Sequence, residues 1–248
     1  MSRLGDVHQF AEQARKVVST DELSRLVGDM AREMGYRYFA IAHHVDHRVH
    51  NEGVALIQNY PPMWAEYFHE QGLYHVDPIF SASERASVGF AWSDLPHIID
   101  LKNGQRDMLL AAKQQNVFDG FTVPIHMPGE PSGSCNFATP VSEESSPEQR
   151  MLAQLVGAFA FEAARRLTVQ ARNNAGIEKV RLTERQRECL IMAARGMSDS
   201  EIGGVLGVSE ETVRMHLKAA RERYGATRRI TLAVRALYDG QVCFHEVF

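Results

Sequence analysis

Hydrophobic residues recur at helical spacing near the amino terminus, and short β-leaning segments follow further along the chain. Residues 5–35 carry the helical pattern, with an interruption at Ser19 or Thr20. The predicted strands are Tyr36–His44, Val54–Gln58, Val117–His126 and Gly133–Pro140, and further helices are predicted to begin at Pro61, Asp77 and Ser146. This alternation predicts an α/β fold, an α-β-α sandwich with helices on both faces of one sheet.

A long amphipathic helix is predicted from Pro147 to about Arg172. Its apolar residues recur three or four positions apart and form one stripe. They are Leu152, Leu155, Val156, Phe159 and Ala163. The stripe suits two partners equally well, its own sheet or a second copy of the chain. The polar segment that follows, broken by Gly176, predicts domains at 1–171 and 180–248 joined by a linker at 172–179.

Three helix starts follow one another closely after residue 182. Thr183 and Ser198 each stand three residues before Gln or Glu, the spacing of a capping box, and Ser209 caps a third start. Gly196 and Gly207 lie where the preceding helices should end. Two helices joined by a tight glycine turn, the second carrying basic residues, predict a helix-turn-helix.

Charge is distributed unevenly between the two parts of the chain. Residues 180–242 carry 11 Lys and Arg against 8 Asp and Glu, a net charge of +3, whereas residues 1–179 carry 16 against 22, a net charge of −6. An acidic domain joined to a mildly basic one fits a regulator in which only the smaller part contacts phosphates. The small basic excess predicts weak DNA binding by a single copy, so pairing two copies should help.

Composition places the chain among reduced, globular proteins of the cytoplasm. The 248 residues include 44% hydrophobic and 23% charged residues, and no run of about 18 apolar residues predicts a membrane span. The amino terminus lacks the apolar core of a signal peptide. Three scattered cysteines, Cys135, Cys189 and Cys243, have no metal-ligand spacing.

The third predicted helix of the tail, Glu210 to about Arg223, carries the candidate DNA contacts. Arg214 and Lys218 are the candidates for base edges, because early residues of the second helix meet the major groove. Ser209, Thr212 and Arg221 are better placed for phosphates, and Met215, Leu217 or Ala219, and Tyr224 are left for the domain core. The alternative is a solvated basic surface helix.

The tail resembles the LuxR/GerE-type DNA-binding domain. The resemblance rests on Leu182–Leu190, Ala194–Gly196, Glu201–Ile202, Leu206–Ser209, Thr212–Val213, His216, Gly225–Arg229 and Ala233. It implies an all-α four-helix domain whose last helix pairs two copies, and hence a homodimer on a palindromic operator in double-stranded DNA. The chain departs from the family in its apolar ending, Cys243–Phe248, which we expect to pack or to pair.

The first domain resembles the autoinducer-binding domain of LuxR-type quorum-sensing regulators over residues 1–170. The resemblance rests on Tyr60-Pro-Pro-Met-Trp64, Asp77-Pro78, Trp92-Ser93 and Gly120. It implies a neutral acyl-homoserine lactone as ligand and no cofactor. The acidic pair, phosphoacceptor Asp and Lys of a phospho-receiver are not apparent in residues 1–120.

Each implied ligand contact has a chemical reason. The Trp64 indole is only a donor and suits the lactone carbonyl, whereas an ionised Asp77 is only an acceptor and suits the amide N–H. The Tyr60 hydroxyl can donate to the amide carbonyl. Trp92 would form an aromatic wall, and Gly120 would leave room for it or permit a tight backbone. Alone, the two tryptophans suit a core and Asp77 suits a helix N-cap.

Two positions depart from the family pattern. Phe68 stands where the family usually has Tyr, and Asn136 stands where a small hydroxyl residue is common. The first exchange removes a hydroxyl, and the second supplies both a donor and an acceptor. These exchanges favour a different acyl or aryl group, or an orphan receptor that responds to another small molecule or binds DNA without ligand.

Four histidines lie close together at the end of the first predicted strand, at positions 43, 44, 47 and 50. A metal site is one interpretation, but neighbouring strand residues point to opposite faces, which favours a solvated loop. His44 or Ala42 would alternatively line the ligand pocket.

The leading hypothesis is a ligand-responsive, DNA-binding transcriptional regulator of quorum sensing. An enzymatic first domain is the hypothesis from another class, yet the chain has no Gly-x-Ser-x-Gly, His-Glu-x-x-His or Walker motif. A third hypothesis is constitutive DNA binding with a vestigial sensor domain. The sign of regulation stays open.

Overall fold

A computed structural model describes residues 3–45, 47, 55–128, 130–142, 144–174 and 180–247. The chain divides into two compact units, Met1–His126 with Pro131–Ile177, and Met127–Glu130 with Glu178–Phe248. The predicted linker lies largely outside the described residues, so the domain boundaries at 171 and 180 stay predictions. In the described part of the chain, no helix combines the length and apolar character needed to cross a membrane.

The first unit contains one sheet between two groups of helices. Its helices are α1 (Arg3–Lys16), α2 (Thr20–Glu33), α3 (Pro62–Glu70), α4 (Pro78–Ser83), α5 (Leu95–Ile98), α6 (Asn103–Gln114) and α7 (Pro147–Asn174). Its strands are β1 (Tyr38–His43), β2 (Leu56–Gln58), β3 (Phe90–Ala91), β4 (Asp119–Ile125) and β5 (Gly133–Thr139). Two 3-10 turns, Leu73–His75 and Trp92–Asp94, link helices and strands.

The described strands form one antiparallel sheet in the order β2-β1-β5-β4-β3. Alternation along each strand gives the sheet two different faces. One face carries large apolar side chains, which pack with α1, α2 and α7. They are Phe39, Ile41, Phe121, Val123, Cys135 and Phe137. This face, with α7 lying across it, forms the main core of the unit.

The opposite face of the sheet carries small or polar side chains. They are Ala40 and Ala42 on β1, Gly120 and Thr122 on β4, and Ser134, Asn136 and Ala138 on β5. Apolar residues of α3 and α6 pack over this face, including Trp64, Met108 and Ala112. Because short side chains project less from the sheet, space remains between the sheet and these helices.

The predicted sandwich with helices on both faces is confirmed, and the element bounds differ by a few residues. The break at Ser19 is a true N-cap, whose hydroxyl accepts from the Glu22 amide at 3.2 Å. Helix α6 had no counterpart in the sequence prediction. Its buried residues are few, Gln105, Met108 and Ala112, so its apolar stripe is weak.

The second unit is all-α. It consists of α8 (Glu184–Ala194), α9 (Asp199–Leu206), α10 (Glu210–Arg223), α11 (Arg229–Tyr238) and the single turn α12 (Phe244–Val247). Thr183 and Ser198 form the predicted capping boxes, and Ser209 caps α10. Gly207 ends α9 with a φ of 68°, a left-handed conformation that favours glycine.

The carboxyl-terminal residues pack inside the second unit, which confirms one of the two expectations for them. Arg187 donates to the Gln241 carbonyl at 2.8 Å and pairs with Glu246, and Arg195 donates to the Glu246 carbonyl at 2.9 Å. Val247 packs at the edge of the unit's apolar core. The ending therefore adds α12 to the four predicted helices.

Candidate functional site

A largely apolar cavity of about 150 Å³ lies on the small-residue face of the sheet. This volume is far larger than one water molecule needs. Among its lining residues are Tyr60, Trp64, Phe68, Asp77, Trp92 and Asn136, six of the seven residues that the resemblance implicated. They come from five separate segments between residues 60 and 136, so the fold brings together what the sequence separates.

Trp64 lies on α3, which Pro61 and Pro62 open, and its side chain is 5% exposed. Its ring lies 5.9 Å from that of Phe68 in an edge-to-face arrangement, and 6.1 Å from that of Tyr67. The i to i+4 spacing on one helix places Trp64 and Phe68 side by side. The α3 helix therefore supplies one aromatic donor and one purely apolar ring to the cavity.

Asp77 both caps a helix and lines the cavity. The N-cap interpretation is confirmed, and the ligand contact stays a prediction. Its Oδ1 accepts from the Ile79 amide at 2.7 Å, which caps α4. Burial raises the pKa of Asp77 from 3.8 to about 7, and the cap hydrogen bonds lower it only in part. Burial also raises the pKa of Tyr60, and the neighbouring Asp77 charge adds to that rise.

Trp92 closes one side of the cavity, and its indole N–H donates to the Thr122 hydroxyl at 2.9 Å. Gly120 lies beneath the ring. A Cβ placed on Gly120 would lie 2.5 Å from the Phe137 carbonyl oxygen and 2.8 Å from Trp92 Cε2. Gly120 therefore leaves room for Trp92. It does not itself line the cavity.

Gly120→Ala is expected to destabilise the first unit by about 1–3 kcal/mol, because backbone and an indole ring must shift to admit one methyl group. Gly104→Ala is the matched control. Gly104 lies on α6 with nothing within 4 Å of its added Cβ, so this change should raise helix stability by up to about 1 kcal/mol. Urea unfolding of both variants measures the difference. Equal midpoints would contradict the packing at Gly120.

Asn136 is 6% exposed and lies within a set of buried polar groups. Its Oδ1 accepts from the Thr122 hydroxyl at 2.8 Å, and its Nδ2 donates to the Ser134 hydroxyl at 3.1 Å. Directly across the sheet, β4 pairs Thr122 with Asn136. The amide predicted to face a ligand is thus held in place by its neighbours.

Sequence reasoning missed much of the apolar lining. It did not single out the α6 residues or the residues after Asp77. They are Met108, Leu109 and Ala112 on α6, and Ile79 and Phe80 on α4. The available signal was the alternation of alanines at 40 and 42 in a strand of larger residues, and Ala42 was an expected lining residue.

The predicted solvated loop is wrong for the first two histidines. His43 is buried at 5.2 Å from the Phe161 ring, and His44 stacks on Phe80 with ring centroids 3.9 Å apart. Burial, with some help from neighbouring imidazoles, lowers the pKa of His44 to about 3. Among the described residues no group of three potential ligands is placed for a metal, and His50 lies outside them.

The second candidate surface is the exposed side of α10. Its core side consists of Val213, Leu217, Ala220 and the following Tyr224. Met215, predicted to be available for the core, is 59% exposed because it lies about 200° around the helix from Val213. Arg214 and Lys218 are exposed.

Ser209 and Thr212 stand together at the start of α10. Ser209 accepts from the Thr212 amide at 3.1 Å, and their hydroxyls lie 2.8 Å apart. The amino end of a helix with exposed hydroxyls is a favourable place for a phosphate. Arg221 is half-buried further along the same helix.

Arg214 is held by acidic side chains in this structure. It pairs with Glu210 at 2.6 Å, with Glu211 at 2.5 Å, and with Asp199 of α9 at 4.0 Å. Lys218 lies 3.9 Å from Glu222. The charges of Arg214 and Lys218 are therefore partly compensated by neighbouring carboxylates, which agrees with the small net positive charge of the unit.

Comparisons with known proteins match both units. The profile of the autoinducer binding domain matches residues 19–167, and that of the bacterial regulatory proteins of the luxR family matches residues 180–236. The transcriptional activator protein AhyR of Aeromonas hydrophila is 25% identical over 236 residues, covering 94% of this chain and 90% of its own.

Solved structures share the fold. A crystal structure of Escherichia coli SdiA has a TM-score of 0.75 at 21% identity and covers 97% of this chain and 99% of its own. SdiA in complex with octanoyl-rac-glycerol has a TM-score of 0.74 at 19% identity, with 96% of each chain covered. The chain therefore belongs to the LuxR family of bacterial transcriptional regulators, which are not enzymes, with an autoinducer-binding domain followed by a GerE-type helix-turn-helix domain.

Proposed function

We propose that this protein binds an acyl-homoserine lactone, or a closely related acylated molecule, in the cavity of its first unit. The observation that carries the proposal is the convergence of Tyr60, Trp64 and Asp77 on one apolar cavity. A hydroxyl, an indole N–H and a carboxylate match an amide carbonyl, a lactone carbonyl and an amide N–H in turn. The remaining lining suits an acyl chain, and one structural neighbour, SdiA, is known with an octanoyl ligand.

We assign the DNA contacts to α10. Arg214 and Lys218 would read base edges, and Ser209, Thr212 and Arg221 would contact phosphates. This assignment is supported by the exposed position of Arg214 and Lys218 and by the capped amino end of the helix. The domain boundaries proposed with it are 1–171 and 180–248, with the linker at 172–179.

We infer that the active species is a cytoplasmic homodimer on a palindromic operator. An exposed apolar stripe on α11, formed by Ile230, Val234 and Tyr238, supports pairing of the second unit. Met151 and Leu155 of α7 are exposed apolar residues of the first unit. A two-fold dimer would place two α10 helices on half-sites related by the same symmetry.

The test is expression of the full chain in cells supplied with acyl- and aryl-homoserine lactones, followed by mass spectrometry of the copurified ligand. A bound lactone should raise the melting temperature, since a ligand that binds only the folded state stabilises it. If no lactone copurifies or shifts the melting temperature, the ligand proposal fails. Unchanged DNA affinity with and without a bound lactone would instead favour constitutive DNA binding.

A further inference from the structure

A continuous chain of hydrogen bonds crosses the cavity face of the sheet. Trp92 donates to Thr122 at 2.9 Å, Thr122 contacts Asn136 at 2.8 Å, Asn136 contacts Ser134 at 3.1 Å, and Ser134 lies 2.9 Å from His44 Nε2. We call these five side chains the relay. Thr122 and Ser134 are fully buried, and only Asn136 and Trp92 among the five line the cavity.

At one end of the relay, the chemistry of Trp92 fixes the direction of the first hydrogen bond. An indole N–H is only a donor, so the Thr122 oxygen accepts from it. The hydroxyl of Thr122 keeps its single hydrogen and donates it to Asn136. The amide atom that receives it must be Oδ1, because the NH2 group cannot accept.

The other end of the relay is compatible with the same direction. With Oδ1 toward Thr122, the amide nitrogen of Asn136 donates to Ser134. The Ser134 hydrogen is then available for His44 Nε2, which accepts it when the neutral imidazole carries its proton on Nδ1. Hydrogen bonds that run in one direction polarise and strengthen one another. The relay therefore holds the Asn136 amide in one of its two orientations.

One polar group is left over in this arrangement. The hydrogen bonds between described residues use only one of the two N–H groups of Asn136, and the side chain lines the cavity at 6% exposure. In the proposed function, Tyr60, Trp64 and Asp77 already match the amide and the lactone. A ligand with a plain acyl chain would leave the second N–H without an acceptor, which is costly in a buried site.

We propose that Thr122 is a positioning residue, which fixes the Asn136 amide so that the pocket selects signals whose acyl chain carries a carbonyl oxygen. The inference rests on the proposed lactone function and deepens it. Thr122 acts through Asn136 and need not touch the ligand. A hydroxyl at position 122 thereby decides whether the pocket offers a donor or an acceptor at this point.

The first measurement is the affinity of the full chain for two lactones that differ only by one carbonyl oxygen on the acyl chain. N-octanoyl- and N-(3-oxooctanoyl)-homoserine lactone are titrated by calorimetry. The oxo compound should bind about 5- to 10-fold more tightly, the value of one neutral hydrogen bond in a buried site. Equal affinities, or tighter binding of the plain octanoyl compound, would overturn this inference and leave the lactone function standing. No binding of either compound would overturn both.

The second measurement assigns the effect to Thr122. Thr122→Val keeps the shape of the side chain but removes the hydroxyl. Asn136 Oδ1 then loses its hydrogen-bond donor, and the amide is no longer fixed in one orientation. The preference for the oxo compound should fall below about 2-fold while octanoyl affinity changes little. Thr122→Ser restores the hydroxyl and should restore the preference. A purely structural role would weaken both ligands alike and would refute the positioning role, as would an unchanged preference.

Asn136→Leu provides a second variant if Thr122→Val is too unstable to purify. Leucine has the same branching and number of side-chain heavy atoms and no donor, so the preference between the two compounds should be lost here too. Retention of a 5- to 10-fold preference in Asn136→Leu would show that another group recognises the acyl oxygen. That result would also overturn the inference.

Discussion

Asp77→Asn is expected to raise the melting temperature of the ligand-free protein at pH 8 by about 5–10 °C and to weaken lactone binding about tenfold. Asn serves as a helix N-cap as well as Asp does, so the cap of α4 on the Ile79 amide persists. The change removes only the buried charge. Stability and ligand affinity should therefore move in opposite directions.

The pH dependence follows from the raised pKa of Asp77. Burial takes it from 3.8 to about 7, so the folded protein holds this proton more tightly than the unfolded chain does. The folded state therefore loses stability as the pH rises from about 4 to 7, and the full loss, about 2–4 kcal/mol, persists above 7. Asn carries no charge at any pH. The gain in stability of Asp77→Asn over the wild type should be absent near pH 4 and complete by pH 8.

Binding depends on the opposite form of the same group. A ligand amide N–H donates best to the ionised Asp77 carboxylate, and hydrogen bonds to charged groups are stronger than those to neutral ones. Lactone affinity of the wild type should therefore weaken as the pH falls below about 7, whereas that of Asp77→Asn should stay nearly constant. Thermal melts and titrations at pH 6 and 8 measure both effects. A variant that melts below the wild type at pH 8 would contradict the buried-charge argument.

Arg214→Ala is expected to reduce specific DNA binding at least about 30-fold while leaving ligand binding unchanged. A bidentate arginine–guanine contact contributes about 1–3 kcal/mol, and a dimer would carry two. Binding to operator and random duplexes is compared by fluorescence anisotropy at fixed salt. Because the loss concerns base reading, affinity for random duplexes should fall much less.

Substitution of an acidic partner of Arg214 should have the opposite effect and increase DNA affinity. Glu211→Gln removes one of the carboxylates that hold the guanidinium, so DNA affinity should rise up to about 5-fold. Arg185→Ala is the matched control for Arg214→Ala, since Arg185 on α8 forms a similar exposed i to i+3 pair with Glu188. Equal losses in Arg214→Ala and Arg185→Ala would mean that Arg214 supplies only general charge.

Local features of this fold were predictable because they depend on residues three or four positions apart. The capping boxes at Thr183 and Ser198 and the cap at Ser209 formed as predicted, and the turn at Gly207 has the left-handed backbone that favours glycine. The same approach was wrong for Met215, which it left for the domain core although the side chain is exposed. The sequence pattern left it open which side of α10 faces the core, and packing against Val213 and Leu217 decided it.

The site was predictable only through its resemblance to a family. Tyr60, Trp64 and Asp77 carried that resemblance, and periodicity alone would have assigned them to a core and a cap. The role of Gly120 beneath Trp92 required the packing of β4 against its neighbours. The burial of His43 and the stacking of His44 on Phe80 contradicted the polar character of their segment, because strand pairing draws His43 into the sheet.

The sequence by itself determined where the capped helices of the tail begin, that the tail is a helix-turn-helix, and which two domain types the chain contains. These features follow from hydrogen bonds between near neighbours and from short motifs. The tertiary structure alone decided the cavity and the relay, since Trp92 and Thr122 are 30 residues apart and Ser134 and His44 are 90 apart. Only strand register brings such side chains within hydrogen-bond distance and thereby sets which atom of Asn136 faces which neighbour.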